Sequence, residues 1–286
     1  MAATESEAEE DDSDAAQYVF FIRHGESRWD IAEANASFYG MFCENDHAIT
    51  EKGKSQAEHL RTVWSREYAD AQGSSRKPRW DREYLSKLSK PDCVYSSPFT
   101  RAIQTALIAC HDVLTSLGEV VVVRTAREER SSILSADTRG VAVGDEIGVR
   151  VQNELEGLYG KCEASARLST RLNVAGVRDA WWNFSSDNEE VLDALQADFL
   201  EQLWGHGNKS SLIVVGHSYF FRRFFRKQLS DAAKTAHPDI AASLITHLIP
   251  PCGVIGMRLR SRPNQTDGGG FYSGCIQEAV QSWVPR

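Results

Sequence analysis

The chain has 286 residues, of which 42% are hydrophobic and 25% charged, a composition ordinary for a globular protein with room to bury a sizeable core. Seven of its eight net negative charges lie in residues 5 to 14, ESEAEEDDSD, so the remainder is close to neutral. That balance argues against an overall basic surface for nucleic acid, no apolar run reaches bilayer-spanning length, and the N-terminus lacks the basic start and apolar stretch of a secretory signal.

The expected compartment is therefore the cytoplasm. Residues 1–16 read as a solvated acidic tail, because they lack the apolar side chains that would offset the entropy of ordering them. Residues 17–286 read as one domain. The cysteines at 43, 93, 110, 162, 252 and 275 form no C-x-x-C pair, and reduced thiols fit this spacing better than a zinc site or a disulfide framework. No metal is expected.

Along the chain, short apolar runs alternate with helical patterns. YVFFI (18–22) is a buried-strand candidate that stops on Arg23 and His24, and QAEHLRTVWSREY from Gln56 sets Ala57, Leu60 and Trp64 on one helical face. DCVYSSP (92–98) reads as a strand breaking into a turn, with Ser97 as N-cap and Pro98 at the first helical position. Behind it Ile103, Ala106, Leu107, Cys110 and Leu114 form a helical stripe. VVVR (121–124) is a third strand, SLIVVGHS (211–218) a fourth with a helix from Tyr219, and CGVIGMRL (252–259) a fifth. Regions 70 to 90 and 262 to 274 read as surface insertions. LSADTRGVAVG within 131 to 190 reads as a loop, and Trp181 and Trp182 as packing residues. Strands alternating with helices predict an α/β fold, a three-layer α/β/α sandwich around a mostly parallel sheet.

Ligands of open parallel sheets bind beyond the carboxyl ends of the strands. Arg23-His24, Ser96-Ser97 with Arg101, Arg124 to Glu129, and Gly216-His217-Ser218 all follow strand candidates. Two imidazoles, two arginines and a glutamate can thus converge on one mouth. Arg101 stands in the first turn of a helix, where a cation opposes the macrodipole and a bound anion would explain it.

These residues also resemble a known family, the histidine phosphatase superfamily of phosphoglycerate-mutase-like proteins. RHGES (23–27) resembles its opening motif, DHAITEKGKSQA (46–57) its D-x-x-L-T-x-x-G-x-x-Q-A segment, and SSPFTRAIQTA (96–106) its S-P-x-x-R-x-x-x-T-A segment. REE (127–129) resembles its acidic motif, VVGHS (214–218) its second histidine motif, and PPCGVIGMRL (250–259) the strand that follows. The resemblance implies a phosphoglycerate-mutase-like fold and a phosphatase that needs no cofactor. It makes His24 the nucleophile that accepts a phosphoryl group, and Arg23, Arg101 and His217 the pocket around the phosphate. Glu128 becomes the proton donor, with Glu129 competing for that role. One departure stands out: the family often reads R-H-G-E-S-x-x-N, and Asp30 replaces the asparagine. A carboxylate facing the pocket would repel a phosphate dianion; it can instead bind Arg28 or a substrate amine.

The implied substrate is a small phosphorylated metabolite or a phosphoprotein. Trp29 and Ser218 are further pocket candidates. Phe38, Tyr39, Met41 and Phe42 can line its entrance or pack as core. A mutase is the alternative within the family, but the G-L-N-E-R-H-Y-G segment of glycolytic mutases is missing from REERSSILSADTRG. A serine hydrolase at VVGHSYF fails the G-x-S-x-G pattern at Phe220. A weakly catalytic scaffold is the non-enzymatic alternative. FFRRFFRKQ (220–228) reads as a helix with phenylalanines inward and cations outward.

Overall fold

The computed structural model describes residues 16–73, 81–127, 136–182, 188–205, 209–262 and 273–283. The acidic tail, Glu128 and Glu129 lie outside this set. In chain order, β1 (Ala16–Arg23) leads through α1 (Arg28–Ala34), α2 (Phe38–Phe42), α3 (Glu51–Gly73) and α4 (Arg82–Ser89) to β2 (Cys93–Ser96). Next come α5 (Thr100–Ala109), α6 (His111–Leu117), β3 (Val120–Val122), α7 (Asp145–Tyr159), α8 (Glu163–Ser169) and β4 (Leu172–Asn173). The described chain closes with α9 (Glu189–Trp204), β5 (Ser211–Gly216), α10 (Ser218–Gln228), α11 (Asp231–Ala236), α12 (Pro238–Thr246), β6 (Val254–Arg262) and β7 (Ser273–Trp283).

One sheet of order β4-β3-β2-β5-β1-β6-β7 runs through the centre. β1 to β5 are parallel where they pair, while β6 lies antiparallel to β1 and β7 antiparallel to β6. Strand alternation sorts the core into two. Tyr18, Phe20, Ile22, Ile213 and Val215 face a cluster shared with α3 to α8, and Val19, Phe21, Leu212 and Val214 face one shared with α9 to α12. The three-layer expectation is met. No helix among the described residues is long and apolar enough to cross a membrane.

Two helices fix the site through their burial. Every residue of α5 is buried, so its first turn cannot shift without disturbing the core. On α10, Phe220, Phe221, Phe224 and Phe225 are fully buried, and Phe21 of β1 lies 5.2–5.4 Å from three of those rings. Each such ring contributes about 1.5–3 kcal/mol by burial, which anchors the helix that His217 caps.

Several expectations change in detail. Ser97 does not cap α5, which begins at Thr100 with Phe99 as the flanking residue and no cap from its own side chain. The distant Asp46 carboxylate caps it instead, accepting from the Thr100 N–H at 2.8 Å and the Thr100 hydroxyl at 2.6 Å. Residues 82–89, read as part of an insertion, form α4, whose Tyr84, Leu85 and Leu88 join the core. β4 and β7 were not legible: one is only two residues long, and the other follows a stretch rich in glycine and polar residues. Cys43, Cys93, Cys110, Cys162 and Cys252 are free thiols.

Candidate active site

The site stands at the carboxyl ends of β1 and β5. Arg23 pairs in register with Gly216, so the next residues, His24 and His217, leave the sheet side by side. Their rings lie 5.1 Å apart, tilted by 59°. His24 Nδ1 is 2.8 Å from the Gly25 carbonyl oxygen. A carbonyl only accepts, so Nδ1 carries the proton and Nε2 keeps its lone pair. Burial above all, then Arg101, His217 and Arg23, lower the His24 pKa from 6.5 to about 3 against the opposing pull of Asp30. Near neutral pH the ring is a free base with Nε2 unprotonated.

Motif residues that carry no reacting group hold this turn in place. The Gly25 N–H donates to the Thr105 hydroxyl at 3.0 Å, and that hydroxyl donates to the Arg101 carbonyl at 2.8 Å. The Glu26 N–H donates to Gln56 Oε1 at 2.8 Å, while the Glu26 carboxylate accepts from Thr50 and Lys52. At Gly25 a Cβ would sit 2.6 Å from the Gly53 carbonyl oxygen, and at Gly53 one would sit 2.2 Å from that of Glu26. Only glycines let these two backbones cross so closely. The DHAITEKGKSQA segment is therefore a clamp on RHGES.

Arg23 donates from Nη1 to the Ile249 carbonyl at 2.9 Å and from Nη2 to Asp30 Oδ1 at 2.8 Å. The other oxygen of Asp30 accepts from the Ser27 N–H at 2.7 Å and the Ser27 hydroxyl at 2.6 Å, closing a capping box on α1. Burial alone would raise the Asp30 pKa, but His24, Arg23 and the Ser27 bonds outweigh it and hold the group below the ordinary carboxylate value. With His24 neutral, Arg23 and Ser27 are the partners that keep it ionised. Arg28, the partner considered from sequence, instead binds Glu44 and Glu154. The Ser-x-x-Asp spacing of a capping box was present in SRWD and is the signal that identifies this role.

Arg101 is fully buried in the first turn of α5, its guanidinium 4.5 Å from the centre of the Phe99 ring. Its Nη1 lies 3.0 Å from Asp137 Oδ1, and Nη2 donates to Asp137 Oδ2 at 3.1 Å and to the Asp137 carbonyl at 3.3 Å. His217 is fully buried, with Nε2 2.8 Å from the Ser97 hydroxyl. Ser218 donates to the Ile249 carbonyl at 2.8 Å, which ties its hydroxyl to the backbone and removes it as a nucleophile.

A cavity of about 40 Å³ opens on this cluster, lined by Arg23, His24, Trp29, Asp30 and Asp137 among others. Trp29 is buried and packs edge-on against Phe42 and His47. Phe38, Tyr39 and Phe42 are exposed. The structure thus brings Arg23, His24, Asp30, Trp29, Arg101, His217 and Ser218 to one place. Asp137, Asp46 and His47 were missed. ADTRG carries only one acid in a loop-like run, and its partner Arg101 is 36 residues away.

RHGES, DHAITEKGKSQA, SSPFTRAIQTA and VVGHS meet at these strand ends. In motif order the chain resembles the histidine phosphatase superfamily. No family model and no curated protein matches it. Among solved structures it is similar to the ecdysone phosphate phosphatase of Bombix mori in complex with tungstate, at 14% identity and a TM-score of 0.48 over 84% of this chain and 88% of that one. A putative alpha-ribazole-5'-P phosphatase from Escherichia coli gives 13% identity and a TM-score of 0.46 over 93% and 97%. A phosphoglycerate mutase from Bacillus anthracis gives 14% and 0.46 over 86% and 88%. With all three TM-scores below 0.5, what the site can do rests on its own residues.

Proposed function

We propose that the protein is a phosphatase that hydrolyses a phosphomonoester through a phosphohistidine on His24. The observation that carries this reading is the His24 ring itself: buried beside two guanidiniums, with Nδ1 tied to Gly25 and Nε2 left as a lone pair. A structural histidine at a strand end has no need of neighbours that disfavour its protonation from several sides.

A phosphomonoester carries roughly −1.5 to −2 charge near neutral pH, and its transfer asks mainly for positioning and charge stabilisation. His24 Nε2 attacks phosphorus, the bond to the leaving oxygen breaks, and that oxygen takes a proton. Arg23 and Arg101 hold the equatorial oxygens, and His217 donates alongside them. The proton donor is assigned to Glu128 from the motif resemblance alone, with Glu129 as the competing residue; both lie outside the described residues. Water then attacks the phosphohistidine, releasing orthophosphate and restoring the ring. No residue here is assigned to a metal or cofactor.

A metal-free assay over a panel of phosphomonoesters, with wild type and His24→Ala side by side, tests the reading. Turnover by wild type that His24→Ala lacks supports it. Equal turnover by both overturns the nucleophile, and transfer to an added alcohol in preference to water replaces hydrolysis with the mutase reaction. Failure of wild type on every ester leaves the scaffold as the better account.

A further inference from the structure

Asp137 stands between the cavity and Arg101. Asp137 lines the cavity together with Arg23, His24 and Asp30, while its partner Arg101 is fully buried. Nη2 donates to one carboxylate oxygen at 3.1 Å and to the Asp137 carbonyl at 3.3 Å, and Nη1 stands at ion-pair distance, 3.0 Å, from the other oxygen without a hydrogen bond to it. The guanidinium thus commits one donor to the carboxylate and keeps Nη1 beside it without a hydrogen bond to it, a donor that a phosphate oxygen can take, since arginine binds phosphate and carboxylate alike. The charges match in the same way. Arg23 is paired with Asp30 and Arg101 with Asp137, so each of these two guanidiniums already faces a carboxylate before a dianion enters.

The turn that carries Asp137, Ala136–Thr138, is seated by packing just beyond it. A Cβ at Gly140 would lie 2.4–2.6 Å from ring atoms of Trp181 and Trp182, so the chain passes directly against those rings. Trp181 donates to the Ala142 carbonyl at 3.0 Å and meets Phe99 edge-on at 4.9 Å, and Phe99 lies under the Arg101 guanidinium. One wall of aromatic rings therefore joins the arginine to the loop that covers it.

We propose that Asp137 is an internal anion occupying the phosphate seat of Arg101, and that a phosphorylated substrate binds by displacing it. This rests on the phosphatase reading of the site and adds the residue that sets its phosphate affinity. The carboxylate keeps the buried guanidinium paired while the site is empty, since a buried cation without a partner is costly. An entering phosphate supplies the replacement oxygens. Asp137 is thus a specificity residue that weakens the binding of any single anion and favours esters whose remaining contacts help to drive the exchange.

The test is orthophosphate binding by calorimetry, with melting measured in the absence and presence of orthophosphate. Asp137→Asn, which keeps the shape and removes the charge, is expected to bind orthophosphate at least about tenfold more tightly than wild type. It should melt lower in plain buffer yet gain more from orthophosphate, because at a given concentration a ligand stabilises the folded state more the more tightly it binds. Asp137→Glu, which keeps the charge, should bind no more tightly than wild type. Equal or weaker binding by Asp137→Asn, with no larger gain in melting temperature, overturns the proposal. Hydrogen exchange in wild type decides the case even if the variants do not fold. Orthophosphate should speed exchange at the amides of residues 136–140, and protection or no change there overturns the displacement. Tighter binding by Asp137→Asn together with unchanged turnover in His24→Ala would sink only the nucleophile. Absence of orthophosphate binding in every variant, with turnover retained by wild type, would sink the displacement alone.

Discussion

Arg23 and Arg101 each meet a carboxylate, yet the two pairs are built differently. Asp30 lies seven residues after Arg23, and its second oxygen is held by the backbone and hydroxyl of Ser27. Asp137 comes from a loop 36 residues beyond Arg101; one oxygen accepts from the guanidinium at 3.1 Å, and the other lies 3.0 Å from Nη1 and 3.8 Å from His47 Nδ1 without a hydrogen bond to either. The first carboxylate belongs to a helix cap and acts as a strut that aims Arg23. The second covers Arg101 and shares its seat with the ligand. The same chemical pair therefore serves positioning in one place and competition in the other, and what separates them is what else holds the acid.

The contrast can be broken most forcefully at the arginines. Arg101→Ala strands a buried carboxylate without its guanidinium, for which a cost of about 3–5 kcal/mol is expected. Arg23→Ala leaves Asp30 capped by Ser27, so a loss nearer 1–2 kcal/mol is expected from urea unfolding. Both should lower kcat by about 10²–10³, since each removes a donor to the transferring phosphate. Equal stability losses would erase the distinction between strut and cover.

A pH series sharpens it next. The folded His24 pKa is about 3, below its ordinary 6.5, so the unfolded chain takes up a proton that the folded site refuses. Stability is then lost as pH falls from 6.5 towards 3, by about 2 kcal/mol between pH 7 and 5 from this group. His24→Asn should flatten that limb, and urea unfolding at the two pH values measures it. The smallest effect belongs to the cap. Asp30→Ala should cost about 1 kcal/mol in stability. If Asp30 acted mainly by repelling phosphate, KM would fall; as a strut for Arg23, its loss should leave KM unchanged or raise it.

How far the sequence carried the account follows from the range of each interaction. YVFFI, the α5 stripe and the phenylalanines of α10 were legible because strand and helix periodicities are local, and the strand ends then collected His24, Arg101 and His217. The role of Asp30 was also local, written in SRWD, but a motif comparison that expected asparagine drew attention to repulsion instead. Asp46 and Asp137 were hidden for another reason. Each answers a group on α5 that lies far from it in the chain: Asp46 caps Thr100, and Asp137 pairs with Arg101. Only the packed fold brings such pairs together. Ser97 shows the same limit, as a good N-cap by type that the fold assigns to His217.

The central claim is that His24 carries the phosphoryl group, and it is tested most directly by rapid quenching with a labelled phosphomonoester, followed by peptide mapping. Wild type should yield an acid-labile, base-stable phosphoenzyme located on His24, and His24→Ala should yield none. Label on any other residue, or full turnover by His24→Ala, would contradict the account.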